Sequence, residues 1–174
     1  MATSSGSPPS TDVFARIADE AAAESPLWGE QLRAEPEREG VFGPLAPERF
    51  MLGLETIYEG YLVHYGRPRL FAPGDADTVL LLGDYLYAQG LVRLSAAGSV
   101  EAVADMGELI SLCAKLRAEE SGDDGPAWAA TVALLGDGVL HETTDSLELL
   151  SRAQSATDPT SVERALTAHH KRVG

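Results

Sequence analysis

Basic residues, aromatic residues and cysteine are all scarce in this chain, and each shortage argues against a class of function. Only 13 of its 174 residues are Lys or Arg, against 27 Asp or Glu, giving a formal net charge of −14. Nucleic-acid binding rests on cations that neutralise phosphates, so no nucleic-acid partner is expected. A basic membrane-surface patch is disfavoured on the same ground. The single cysteine, Cys113, rules out an intramolecular disulfide, as suits a reducing compartment. No stretch reaches about 18 uninterrupted apolar residues, the length of a membrane span. The richest run, Val79 to Leu94, is broken by Asp84, Gln89 and Arg93. A soluble, cytoplasmic protein without a membrane span is the simplest expectation.

What is abundant is small and aliphatic. Hydrophobic residues make up 44% of the chain but aromatics only 6%, so Ala and Leu dominate the apolar content. That balance suits closely packed helices. No segment shows the sustained Val/Ile/Thr alternation of a strand. The expected fold is therefore all-α, a single-domain helical bundle over residues 11–174. Residues 1–10 are rich in Ser, Pro and Gly and lack both a basic n-region and an apolar h-region. They read as a disordered tail and not as a signal peptide.

Capping residues place the helices. The spacing of Val13, Phe14, Ile17, Ala18 and Ala21 predicts an amphipathic helix from about Asp12 to Glu24. Ser25-Pro26 reads as an N-cap with proline at the first position of a short helix through Trp28 and Leu32. Pro47 opens a helix that Gly66 and Pro68 close after Tyr65. Asp75 caps a long helix ending near Ala97-Gly98, and Ser99 caps the next, to about Glu119. Further helices are predicted over Ala127–Leu135, around Ser146–Ala153, and after Asp158-Pro159.

The helix from Thr78 to Leu94 is apolar nearly all round, the mark of a helix covered by protein on most sides. Gly83 and Gly90 lie seven apart with Tyr87 between them, a stripe that would admit another backbone at close range. Leu54, Tyr58, Tyr61 and Tyr65 form a second stripe, and tyrosines combine a large contact area with a polar tip. These six residues, Gly83, Tyr87, Gly90, Tyr58, Tyr61 and Tyr65, are the candidate interface. Asp84 is read as a buried structural carboxylate that requires a partner.

Catalytic chemistry finds little to use. Asp123 and Asp124 sit in SGDDGP, a turn composition, with no third acid at helical spacing. No Glu-x-x-His pair suits a di-iron bundle. His169 and His170 lie where cations complement a helix C-terminus. Cys113 reads as a structural thiol, and no phosphate-loop, dinucleotide or nucleophile-elbow motif occurs. No catalytic residue, metal ligand or cofactor is assigned.

The segment LLLGDYLYAQGLVRL, Leu80 to Leu94, resembles the Gly-Asp helix of trans-polyprenyl diphosphate synthases. The resemblance extends over roughly Arg49 to Gly136, with AWAATVALLG (Ala127–Gly136) similar to a later helix of that family. It implies an isoprenoid-synthase-like helical fold. The family's first Asp-rich motif, which holds magnesium, is replaced here by Tyr61, His64 and Tyr65, none of which suits that ion. Arg67 and Arg69, near the family's diphosphate-binding arginines, match over too few residues and read as exposed loop arginines. What the resemblance implies is therefore the short, non-catalytic subunit of a two-component synthase. Its partner would be a catalytic polyprenyl synthase subunit, or a second copy in a homodimer. The alternatives are a helical interaction module unrelated to isoprenoids and an autonomous prenyl-diphosphate enzyme.

Overall fold

A computed structural model describes residues 12–173, so the tail expected at residues 1–10 lies outside the described residues. Among these residues the chain is all-helical. Its elements are α1 (Val13–Glu24), α2 (Pro26–Glu30), α3 (Met51–Tyr65), α4 (Ala76–Ala96), α5 (Val100–Ala118), α6 (Gly125–Ala133), α7 (Val139–Glu142), α8 (Ser146–Ala156) and α9 (Pro159–Val173). Two single turns of 3₁₀ helix, Gly43–Leu45 and Glu48–Phe50, lead into α3. One isolated antiparallel bridge joins Leu32 to Phe71. No described helix is long and apolar enough to cross a membrane.

The caps act as the sequence predicts. Ser25 accepts the Leu27 N–H, Asp75 the Thr78 N–H, Ser99 the Ala102 N–H and Asp158 the Ser161 N–H. Each satisfies one of the orphan donors of a first turn. The four-residue α7 was not predicted; it starts from Gly138, which adopts a left-handed φ of 68°.

Helix α3 is the axis of the fold, buried at every position from Gly53 to Val63. One side belongs to the main core with Phe42, Met106, Leu109, Trp128, Ala130, Leu149 and Val162. Val63 joins a second cluster with Phe14, Ile17 and Trp28 of α1 and α2 and Leu82 and Leu86 of α4.

The closest helix pair is α3 against α4, and glycines set its distance. Gly53 and Gly60 on α3 face Gly90 and Gly83 on α4, an antiparallel match of two seven-residue spacings. A Cβ on Gly60 would stand 3.0 Å from the Gly83 carbonyl oxygen, and one on Gly90 would stand 2.9 Å from that of Gly53. The expected backbone approach at Gly83 and Gly90 is thus met inside the chain, by α3. Tyr58 and Tyr61 are likewise buried in the core, and Tyr65 and Tyr87 pack partly against it. Gly83, Gly90, Tyr58 and Tyr61 are thus taken up inside the fold, while Tyr65 and Tyr87 remain half-buried.

Asp84 is also corrected. Its side chain is 66% exposed, with one oxygen 3.2 Å from Nε2 of the largely buried His64. The reason is rotational: the arc of α4 from Leu80 to Val92 is left uncovered, and Asp84 lies in the middle of it.

Candidate functional site

Among the described residues, two deeply buried ionic networks are built on α3. The first centres on Asp124, buried just before α6. Tyr61 of α3 donates its hydroxyl to Asp124 Oδ2 at 2.7 Å. Arg117, near the end of α5, donates to both oxygens, Nε to Oδ2 at 3.1 Å and Nη2 to Oδ1 at 2.9 Å, and also to the Tyr61 oxygen at 2.5 Å. His169 of α9 brings Nε2 to 3.0 Å from Oδ1, and its Nδ1 lies 3.0 Å from the Tyr58 hydroxyl. With Asp124 ionised, Nε2 carries the proton toward it and, in the neutral ring, Nδ1 accepts from Tyr58. Four elements (α3, α5, the turn before α6, and α9) thus meet at one carboxylate.

The electrostatics follow from that geometry. Burial pushes the Asp124 carboxyl up, but hydrogen bonds from His169, Tyr61 and Arg117 outweigh it and hold it down at about 2. Burial raises the Tyr58 and Tyr61 phenols far above their usual range, the Asp124 charge adding to the effect. Burial, again with Asp124, raises the Cys113 thiol well above normal, the opposite of an activated nucleophile. The network is a fixed charge with protonated neighbours, suited to locking helices.

The second network surrounds Arg69, read from the sequence as an exposed loop residue and in fact completely buried. Its Nη1 donates to Glu55 Oε2 at 2.5 Å and its Nε to Glu59 Oε2 at 3.0 Å. It also donates to the carbonyl oxygens of Glu39 and Glu55, at 2.8 and 3.1 Å. The other carboxylate oxygens accept backbone donors: Glu55 from Gly43 at 2.8 Å, Glu59 from Leu70 at 2.7 Å. The guanidinium lies 5.1 Å from the ring centres of both Phe14 and Tyr58. Glu55 and Glu59 are one turn apart in an otherwise apolar helix. That like-charged pair was the available signal, since burying both requires a cation nearby.

Asp123, Asp124 and His169 each place one potential ligand atom within 4.8 Å of the others. This gathers the DD turn and the first of the two terminal histidines, which sequence spacing kept apart. Their chemistry fits a metal ion poorly. Arg117 already holds both Asp124 oxygens, and a divalent cation would have to displace that guanidinium. Asp123 turns outward to His170 at 2.8 Å.

Interaction surfaces are the more open feature. On α4, Leu80 and Leu81 are each 56% exposed and Val92 60%. At 100° per residue these three, with Asp84, Ala88 and Leu91, fall within one 120° arc. A second feature, a cleft beside α9, gathers several of the chain's few cations. Compared with known families, curated proteins and solved structures, the chain matches none.

Proposed function

We propose that the chain works by pairing: a non-catalytic helical subunit that docks through the outward face of α4. The partner is a catalytic polyprenyl diphosphate synthase or a second copy of the chain. The observation that carries this is the exposure of Leu80, Leu81 and Val92 on a single arc of one helix, around Asp84. An apolar stripe on a helix is normally turned toward protein. The isoprenoid part of the proposal rests on the sequence of that same helix, Leu80 to Leu94, and is compatible with an all-helical fold. The non-catalytic part is supported by the fate of the buried carboxylates. Glu55, Glu59 and Asp124 are each bound to an arginine, and the fourth, Asp105, accepts the Gly136 and Gly138 N–H groups, so all four are committed to holding the fold together.

Light scattering of the purified chain, with and without a polyprenyl synthase from the same cells, tests the proposal. Association is expected, and Leu81→Glu with Val92→Glu weakens it at least tenfold without changing the far-ultraviolet dichroism. A chain that stays monomeric and retains no synthase from its own cell extract overturns it.

A further inference from the structure

In a chain with 13 Lys and Arg, the clustering of four of them in one cleft is notable. The cleft, about 320 Å³ in volume, lies between α9, the segment before α3 and the loop after it. Its cations are Arg67, Arg164, Lys171 and Arg172; its acids are Glu37 and Glu39. Four cations less two carboxylates leave a charge of +2, a local reversal of the molecule's sign.

The cations are not equally committed. Arg172 is buried and donates to Glu37 at 2.7 Å. Arg67 donates to the Lys171 carbonyl. Arg164 and Lys171 are exposed, and neither makes a direct ion pair among the described residues, although the Arg164 charge helps hold the Asp158 carboxyl below its usual range after the hydrogen bonds from Ser161. They stand seven residues apart on α9, two turns or about 10 Å along the helix, with Thr167 between them in the same wall. Glu37 already shows how the cleft treats an oxyanion. Its carboxyl is held below the usual range by the hydrogen bond from Arg172, with the charges of Arg172, Arg67 and Arg33 adding to it.

We infer that this cleft binds the dianionic phosphate group of a small soluble molecule, held by Arg164 and Lys171 with the Thr167 hydroxyl as a further donor. A phosphate monoester carries about −1.5 to −2 charges at neutral pH and three acceptor oxygens, which matches the +2 of the cleft. Arginine and lysine together supply directed and point-charge donors. Arg164, Thr167 and Lys171 are carried by α9, while Arg67 comes from the loop after α3; the site does not depend on pairing through α4.

Titration of the full chain with inorganic phosphate, followed by amide chemical shifts, provides the test. Saturable shifts are expected around residues 164–172 and at Arg67, with sulfate reproducing them and monovalent acetate at least tenfold weaker. Arg164→Ala with Lys171→Ala should weaken phosphate binding at least tenfold. Both side chains are exposed, so an unchanged melting temperature would confirm an intact fold. Shifts scattered over the surface, or a double variant that titrates like the parent, overturn the inference. So does co-sedimentation with phosphatidic acid vesicles without any response to free phosphate, because that would assign the cleft to a lipid headgroup.

Discussion

The hydroxyl of Tyr61 lies 2.7 Å from the carboxylate of Asp124, joining the middle of α3 to the start of α6 across 63 residues of sequence. Tyr61 also accepts from Arg117, so removing its hydroxyl takes one donor from the carboxylate and one acceptor from the guanidinium. The Tyr61 ring packs against Tyr58, Trp128 and His169, and phenylalanine keeps those contacts. Tyr61→Phe should therefore cost about 1–2 kcal/mol in urea unfolding, the scale of a lost charge-assisted bond. Asp124→Ala should cost more, about 3 kcal/mol, because it takes the acceptor from the buried His169 as well as from the half-buried Arg117. Equal losses for the two variants would show that the network is not centred on Asp124.

Acid stability should carry the signature of the same carboxylate. Asp124 titrates near 3.8 in the unfolded chain and at about 2 in the fold. A depressed carboxyl pKa stabilises the folded state fully above the unfolded value. That stabilisation disappears as pH falls through the folded one. The shift corresponds to about 2 kcal/mol, present above pH 4 and lost toward pH 2. The Asp124→Asn variant should show a flatter dependence of unfolding free energy on pH over that window. A slope identical to the parent's would assign the acid sensitivity to other groups.

Helix starts were legible in the sequence because caps are local: Ser25, Asp75, Ser99 and Asp158 each bond a donor two or three residues away. The partners of side faces were not. Gly83 and Gly90 correctly signalled a close backbone approach, but the approaching helix was α3, whose Gly53 and Gly60 carry the same spacing. Asp84 was assigned to the interior because leucines surround it in sequence. Burial depends on which arc of a helix is covered, and apolar composition on all sides conceals that arc. Asp124 had the composition of a turn residue. Only folding brings Arg117, Tyr61 and His169 to it, so no local pattern could reveal the site.

Arg69 offers a test of a buried charge triad. Arg69→Met leaves Glu55 and Glu59 with backbone donors but no cation, and should cost at least about 3–5 kcal/mol. Adding Glu55→Gln and Glu59→Gln removes both charges and keeps oxygen acceptors for the backbone N–H groups of Gly43 and Leu70. The triple variant should therefore be more stable than Arg69→Met alone, measured by the urea midpoint at constant slope. A triple variant less stable than the single one would mean that shape at this site matters more than the uncompensated charge.

The α3–α4 seam yields a prediction with opposite signs at two glycines. Both Gly90 and Gly107 lie inside helices, where alanine is intrinsically favoured by about 1 kcal/mol. A Cβ on Gly107 would meet nothing within 4 Å, so Gly107→Ala should stabilise the chain by about 0.5–1 kcal/mol. At Gly90 the same Cβ would stand 2.9 Å from the Gly53 carbonyl oxygen and 3.0 Å from the Ile57 nitrogen. These are backbone atoms of α3 and cannot rotate away, so the two helices must separate. The loss of packing along the pair outweighs the propensity gain, and Gly90→Ala should destabilise by about 1–3 kcal/mol. Gly53 lies directly opposite Gly90, so a double variant with Gly53→Ala should fall short of the sum of its two single losses. Once the helices have moved apart, the second methyl meets less resistance. Stabilisation by Gly90→Ala in thermal melts would mean that α3 and α4 do not approach as closely as this seam requires.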